Sequence, residues 1–356
     1  MYRNFMHDWE RRCHNLDDNR IVRPFDWGFE FIGQENGSHQ TNQSNQNGSA
    51  QALSPQKIIQ DFNQKTIPNS DEFFRPAPLN SEEYEFDGHF LKFPSSIETI
   101  SPANNIVHAR FYPATTKDGK PSERAVIVMP QWNGDVNAHV SICKGLNFFG
   151  ISALRLSLPY HDWRKPPELE RADYLVCSNI GRTIQSIQQG VHDVRRCADW
   201  LQLQGIRKIG VMGTSVGSNV GFLSFTHDER LEVAVFNHAS SFFGDVVWQG
   251  ITTAHIRKSL ETEMNRDEAR EAWLSISPST YMNKLSRHRR KAKIMVARYD
   301  LTFPFELSQN MLENCKENDV PIDSVILPCG HYTSGKSPYK FLVGYHIVSY
   351  FVAKLK

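Results

Sequence analysis

KIGVMGTSVGSNVG, residues 208–221, is the stretch that decides the fold. Its first half is an apolar run typical of a buried strand in a parallel sheet. The run leads into Gly213-Thr214-Ser215-Val216-Gly217, a G-x-S-x-G pattern in the setting of strand, turn and helix that this pattern requires. Such a turn exposes the serine hydroxyl. The positions two before and two after the serine must be glycine, because they lie so close to neighbouring backbone that a side chain would not fit. The pattern predicts that Ser215 is a nucleophile; a simple glycine turn after a strand is the alternative.

On both sides of this turn, short apolar runs alternate with helical patterns. Strand-like runs lie at 106–112, 125–129, 151–158, 208–212, 233–236, 293–297 and 324–327. Apolar residues recur every three or four positions in 183–201 and again in 341–355, as on one face of a helix. This alternation predicts an α/β fold with a mostly parallel central sheet flanked by helices.

Composition narrows the class of protein. The 356 residues suit one large α/β domain with additions, or two ordinary domains, and the net charge of +1 does not favour a nucleic-acid partner. The six cysteines form no CxxC pair, so we expect buried or incidental thiols in a reducing compartment rather than disulfides or a zinc site. With no apolar leader and no stretch fit to span a membrane, a cytoplasmic location is expected.

Three regions define the predicted organisation. Residues 1–80 are expected to form an N-terminal arm, in which 34–56 carries almost no large apolar residue and is expected to be a disordered loop. The arm's aromatic residues at 25–32 either pack on the main domain or form a wall of a pocket. Residues 81–356 are expected to be the catalytic domain. Within it, 240–290 separates two predicted strands and is longer than a plain helix crossover.

Two later motifs extend the pattern. IMVARYDLTFP, residues 294–304, takes a strand into Asp300, and SVILPCGHYTSG, residues 324–335, takes the last strand into His331. With Ser215 they follow the order nucleophile, acid, histidine, and over roughly residues 84–356 the chain resembles the α/β-hydrolase superfamily. The resemblance implies a Ser215-His331-Asp300 triad.

The chemistry of acyl transfer requires each of these groups. A serine hydroxyl is a poor nucleophile at neutral pH, so His331 must take its proton and later protonate the leaving group. Asp300 must hold the imidazole in the productive tautomer. The rival acids are Asp228, Asp245 and Asp319. Asp245 is the strongest of them, because it follows the strand at 233–236, where some members of the superfamily carry their acid.

An oxyanion hole needs two fixed N–H donors. The backbone N–H of Val216 is expected to be one of them. The second is expected from the loop MPQWNG at 129–134, with Trp132 as the first candidate and Gln131 next. Members of the superfamily often have His-Gly in this loop and this sequence does not, so a tight turn without a donor role is the alternative.

Candidate substrate contacts follow the strand at 151–158 and the one at 233–236. His161 and Arg164, with Arg171, could clamp an acidic or phosphate group, or could form a salt-bridged surface. Phe242 and Phe243 belong to residues 240–290, which the resemblance implies to be a lid or cap, and an apolar lid suits an acyl or aromatic ester group. They could equally pack the lid on the core.

The sequence therefore predicts a serine esterase that acts on a small-molecule acyl ester through an acyl-enzyme intermediate. It implies no metal, no organic cofactor, no nucleic-acid partner and no integral membrane span, and it leaves the oligomeric state open. Two alternatives remain. One is a thioesterase, amidase or acyltransferase with the same triad, and the other is a non-catalytic relative that only binds a ligand or partner.

Overall fold

A nine-stranded sheet forms the centre of the computed structural model, which describes residues 1–33, 53–287 and 290–356. The strands are β1 (Glu85–Phe86), β2 (Phe90–Pro94), β3 (Ile106–Tyr112), β4 (Arg124–Met129), β5 (Ser152–Leu156), β6 (Lys208–Thr214), β7 (Leu231–Asn237), β8 (Lys291–Ala297) and β9 (Ile322–Leu327). Their order in space is β1-β2-β3-β5-β4-β6-β7-β8-β9. Pairing is antiparallel from β1 to β5 along this order and parallel from β5 to β9.

Helices flank the sheet on both faces. They are α1 (Tyr2–His14), α2 (Pro55–Thr66), α3 (Ser70–Phe73), α4 (Val140–Phe148), α5 (Ile180–Leu203), α6 (Val216–His227), α7 (Phe243–Gln249), α8 (Ala254–Leu260), α9 (Arg266–Ala272), α10 (Met282–Leu285), α11 (Phe305–Glu317) and α12 (Tyr339–Lys354). The predicted α/β class, with a mostly parallel sheet between helices, is confirmed.

The core is divided by the sheet, because successive residues of a strand point to opposite faces. Val126 and Val128 of β4 belong to one buried cluster, with α4 and α12, while Ile127 and Met129 belong to the other, with α5 and α6. The central parallel strands are therefore buried on both faces, which is why they read as uninterrupted apolar runs.

The N-terminal arm packs on this domain. Met6 of α1 is buried in the cluster with α4 and α12, and Phe29 is buried in the opposite cluster with Phe25 and Trp27 partly buried against it. Packing on the domain, rather than a pocket wall, is thus the role of the aromatic residues at 25–32.

The predicted disordered segment at 34–56 lies mostly outside the described residues. Its last two residues, 55 and 56, were predicted wrongly, because α2 begins at Pro55. The Ser54 hydroxyl caps this helix by accepting a hydrogen bond from the Lys57 N–H at 3.3 Å.

Helices fill the long connection between β7 and β8. α7 to α10 lie there, and Phe243 and Trp273 meet edge to face in the core with ring centroids 5.5 Å apart. All six cysteines are buried free thiols. In the described part of the chain, no helix combines the length and the apolar character that crossing a membrane would need.

Candidate active site

Four polar side chains follow four neighbouring strands. Ser215 follows β6, His238 follows β7, Asp300 lies three residues after β8, and His331 lies four residues after β9. Because these strands are parallel and adjacent, their carboxyl ends meet at one edge of the sheet. The topology thus gathers residues that are up to 116 positions apart in the sequence (331 minus 215).

The turn that carries Ser215 is strained and tightly packed. Ser215 has φ 59° and ψ −119°, a backbone conformation that non-glycine residues rarely adopt. A Cβ at Gly213 would lie 2.0 Å from the Gly217 carbonyl oxygen, and a Cβ at Gly217 would lie 2.6 Å from the Pro130 carbonyl oxygen. Both positions must therefore be glycine, for the steric reason that the sequence suggested.

Asp300 is buried, and both of its carboxylate oxygens accept hydrogen bonds. Its Oδ1 accepts hydrogen bonds from the backbone N–H groups of Thr302 and Phe303, each at 2.7 Å. Its Oδ2 lies 3.0 Å from Nδ1 of His331. Since a carboxylate can only accept, this contact assigns the single proton of the neutral His331 ring to Nδ1, which leaves Nε2 of the neutral ring as an acceptor. The Phe303 ring stacks on the His331 ring at 5.4 Å between centroids and so fixes its plane.

The electrostatics of the pair favour its charged form. Burial disfavours the Asp300 carboxylate, but the neighbouring His331 and His238 outweigh burial and hold the pKa of Asp300 well below its usual range. Burial also disfavours the His331 imidazolium. The Asp300 carboxylate outweighs this too, so the pKa of His331 is raised above its ordinary value.

His238 was missed in the sequence. Its Nδ1 lies 2.9 Å from Oδ2 of Asp300, in a direction too bent for a regular hydrogen bond, and its Nε2 lies 3.2 Å from the Ser334 hydroxyl. The ring is 4.4 Å from that of His331, between centroids. Burial, and then the proximity of His331, lower the pKa of His238. The sequence signal that could have identified it was its position two residues after the strand predicted at 233–236.

Among the described residues, the two histidines and Asp300 are also a group of side chains that could hold a metal ion. His238, Asp300 and His331 each offer one ligand atom, and these atoms lie within 4.8 Å of one another. The hydrogen bond between His331 and Asp300, together with the charge of Asp300 beside His238, accounts for this proximity without an ion.

The rival acids lie away from His331. Asp245 is buried and pairs with Arg270 at 2.8 Å and with Arg266 at 3.4 Å. Asp228 pairs with Arg230 at 2.7 Å beyond the end of α6. Asp319 is exposed in the turn after α11. Of the four candidate carboxylates, Asp300 is the one that the structure brings to His331.

The loop after β4 lies beside the serine turn, as the contact between Gly217 and Pro130 requires. Two of its N–H groups already have acceptors. That of Asn133 donates to His161 Nε2 at 2.9 Å, and that of Gly134 donates to the Gln131 carbonyl at 2.9 Å. The backbone N–H groups of Gln131 and Trp132 remain as the candidate donors in this loop. The Trp132 indole N–H instead donates to the Ala172 carbonyl at 2.9 Å.

His161 supports this loop. Its Nδ1 lies 2.9 Å from the Pro159 carbonyl oxygen, which can only accept, so the proton is on Nδ1 and Nε2 is free to accept from Asn133. Burial lowers the pKa of His161 to about 4. A neutral ring with both nitrogens engaged is not an anion clamp, so the acidic or phosphate contact considered for His161 does not fit.

The prediction that Arg164 binds substrate was wrong. Its side chain is fully buried, pairs with Asp193 of α5 at 2.7 Å, and donates to the carbonyls of Asn104 and Ser157. The short turn after β5 directs this arginine into the core instead of toward the sheet edge. Arg171 lies at the cavity wall, over the Trp132 ring and 3.4 Å from Asp173.

Ser215 and His331 line one cavity of about 1480 Å³. Other residues predicted for the site also line it, namely Gln131, Trp132, His161, Val216, Phe242 and Phe243. Val246 and Val247 of α7 are further apolar residues that line the cavity. A large, mostly apolar cavity with a few convergent polar groups is typical of a small-molecule site.

Several solved structures are similar to this one in architecture. Acylaminoacyl peptidase from Pyrococcus horikoshii superposes with a TM-score of 0.57 at 11% identity, over 87% of this chain and 45% of that one. Acetyl xylan esterase from Paenibacillus sp. R4 gives 0.53 at 12% identity, over 85% and 96%. A puromycin-hydrolyzing peptidase from Mycobacterium tuberculosis gives 0.53 at 14% identity, over 70% and 37%.

The chain has the α/β-hydrolase fold. It spans less than half the length of the Pyrococcus horikoshii peptidase and of the mycobacterial one, and most of the Paenibacillus esterase. No protein-family model and no curated protein matched the sequence. At 11 to 14% identity the likeness concerns the fold, so the activity must be argued from the site itself.

Proposed function

We propose that the protein is a serine hydrolase that cleaves a carboxylic ester through an acyl-enzyme intermediate. One observation carries this proposal. A serine in a strained, glycine-flanked turn shares a cavity with a histidine whose Nδ1 is held by a buried carboxylate. Ser215 is the nucleophile, His331 the general base and Asp300 the group that orients the imidazole.

Acylation begins when Nε2 of His331 takes the proton of Ser215 as Oγ attacks the ester carbonyl carbon. The imidazolium that forms is stabilised by Asp300. The negative charge on the carbonyl oxygen is received by the backbone N–H of Val216, at the start of α6, and by that of Trp132 or Gln131. Collapse of the tetrahedral intermediate breaks the bond to the alcohol, which leaves with the proton held by His331.

Deacylation repeats these steps with water as the nucleophile. His331 takes a proton from water, the hydroxide oxygen attacks the acyl carbon, and the new tetrahedral intermediate expels Ser215, which recovers its proton from His331. The products are the free acid and the alcohol, and the enzyme is restored. No step needs a metal or an organic cofactor.

The cavity favours an apolar acyl or aromatic ester group of a small molecule. Phe242, Phe243 and Val246 form an apolar wall on the α7 side of the cavity that contains Ser215. We propose that α7 to α10 act as the lid over this cavity. A thioester, an amide or an acyl acceptor other than water would use the same triad, and two of the similar folds belong to proteins named as peptidases.

A fluorophosphonate probe tests the proposal, because it reacts with an activated serine whatever the natural substrate. We expect wild-type protein to be labelled and to hydrolyse p-nitrophenyl esters, and Ser215→Ala to do neither while retaining its melting temperature. Ser286→Ala, in the turn after α10, is the matched control. Labelling of folded Ser215→Ala, or no labelling of the wild type, would contradict the proposal. A parallel set of p-nitroanilides and thioesters ranks the three bond types.

A further inference from the structure

Glu10 of α1 is a fully buried carboxylate that lies against the His331 loop. Its Oε2 accepts a hydrogen bond from the Tyr332 N–H at 3.1 Å, and its Oε1 accepts one from the Thr333 N–H at 2.8 Å. These are the two residues directly after His331. Burying a carboxylate is unfavourable unless it is well partnered, so a glutamate at this position needs an explanation beyond packing.

Gly330 leaves room for the Glu10 side chain because it has no side chain of its own. A Cβ at position 330 would lie 2.3 Å from the Glu10 carboxyl carbon, so glycine is what allows the carboxylate to approach. The Gly330 N–H donates to the Thr333 hydroxyl at 2.7 Å, which closes the loop on itself. Gly330, Tyr332 and Thr333, which flank His331, therefore all contact the Glu10 side chain of the arm.

Further contacts join the arm to the same loop. The Tyr2 hydroxyl donates to the Pro328 carbonyl at 3.2 Å, and the Arg20 guanidinium donates to the Tyr332 hydroxyl at 3.2 Å. The His331 loop is thus held at Pro328 by Tyr2, at the Tyr332 and Thr333 backbone by Glu10 and at the Tyr332 side chain by Arg20.

We propose that Glu10 is a positioning residue for His331, which makes the N-terminal arm a working part of the active site. This inference rests on the proposed function. Glu10 touches no substrate; it fixes the backbone on which the imidazole is carried. Misplacement of a catalytic group by about 1 Å can lower a rate by roughly 100-fold, so loss of this anchor is expected to act on turnover more than on binding.

Charge provides a second effect of Glu10. Among the described residues, Asp300, His238 and Tyr332 contact the His331 ring, and the Glu10 carboxylate acts on it electrostatically from the adjoining backbone. The negative charge of Glu10 favours the protonated imidazole, as that of Asp300 does. Removing the charge at Glu10 should therefore let His331 lose its proton at a lower pH, which a purely structural anchor would not do.

Glu10→Gln is the first test, because it is isosteric but places an NH₂ group against a backbone N–H. We expect kcat on p-nitrophenyl esters to fall about 10- to 100-fold with KM changed less than about twofold, and the acidic limb of kcat/KM to move to lower pH. Glu10→Asp should lose less activity than Glu10→Gln. Asp8→Asn, an exposed carboxylate on the same helix, is the control and should leave both readouts unchanged.

A double-mutant cycle tests the fit between Glu10 and Gly330 directly. Gly330→Ala alone should lower kcat by displacing the carboxylate. In a Glu10→Ala background the same substitution should add little, because the space that its methyl group needs is then free. The two single effects should therefore not add.

The failure of this inference can be told apart from failure of the proposed function. Unchanged kcat and pH profile in folded Glu10→Gln and Glu10→Ala, with the wild type still labelled by fluorophosphonate, would overturn the positioning role alone. Additive effects of Gly330→Ala and Glu10→Ala would overturn it as well. A wild type that is neither labelled nor active on esters would overturn both proposals.

Discussion

His238 and His331 approach the same oxygen of Asp300, with their Nδ1 atoms 2.9 and 3.0 Å from Oδ2. The two contacts are not equivalent, because the His331 contact is a regular hydrogen bond and the His238 contact is bent. His238 also has a left-handed backbone, with φ 57°, which is uncommon for residues other than glycine. The turn at the end of β7 thus places the His238 ring 4.4 Å, between centroids, from the ring of His331, the proposed base.

His238→Asn tests the role of this second imidazole. Asparagine tolerates a left-handed backbone but does not reach as far, so Asp300 and His331 would lose a packing neighbour while the turn is kept. We expect kcat to fall about tenfold, well short of the loss on changing Asp300, with a destabilisation of about 1–3 kcal/mol. Ester kinetics and thermal unfolding measure the two effects. A loss of activity equal to that of Asp300→Asn would make His238 a full partner in the chemistry.

Asp300→Asn and Asp245→Asn form a matched pair of buried carboxylates. The asparagine at 300 would offer His331 an amide group that can favour the wrong tautomer, so kcat should fall by up to about 10⁴-fold with little change in KM. Asp245→Asn should leave kcat nearly unchanged but lower the melting temperature, because Arg270 and Arg266 lose their partner. The opposite pattern would move the acid to the earlier strand.

Much of this arrangement could be predicted from the sequence. The central strands were predictable because burial on both faces makes them continuous apolar runs. β1 and β2 were not, because β1 is two residues long and β2 contains a lysine and a proline. Ser215, Asp300 and His331 could be nominated because each follows a recognisable strand within a short motif.

The residues that were missed depend on contacts far apart in the sequence. Glu10 meets its loop across 322 and 323 positions, and nothing local in α1 indicates such a partner. Arg164 follows β5 as a ligand-binding residue would, yet its side chain turns inward to Asp193. The direction of a side chain after a turn is set by tertiary packing, which strand patterns do not contain.

The pH dependence of hydrolysis follows from the electrostatics of His331. As the proposed base, His331 must be neutral to accept the Ser215 proton, and Asp300 holds the pKa of His331 above its ordinary value of 6.5. As the pH falls through this raised pKa, the imidazole is protonated and the rate falls. We expect kcat/KM, measured from about pH 5 to about pH 9, to show an acidic limb with its midpoint above 6.5. In Asp300→Asn that limb should move to lower pH, and a limb that stayed in place would contradict the pairing.

Gly213→Ala tests whether the serine turn depends on its close backbone contact. A methyl group at position 213 would lie 2.0 Å from the Gly217 carbonyl oxygen, so β6 and the start of α6 would have to separate. Because the obstacle is backbone rather than a flexible side chain, we expect a loss of about 3 kcal/mol or more in the free energy of unfolding. Fluorophosphonate labelling should be lost as well. Gly344→Ala is the matched control: apart from its chain neighbours and its own helix backbone, no atom of the described residues lies within 4 Å of the added methyl group in α12. Replacing a helical glycine with alanine should stabilise the protein by about 0.5–1 kcal/mol. Chemical denaturation of the two variants compares them, and equal stabilities would mean that the turn can relax around a side chain.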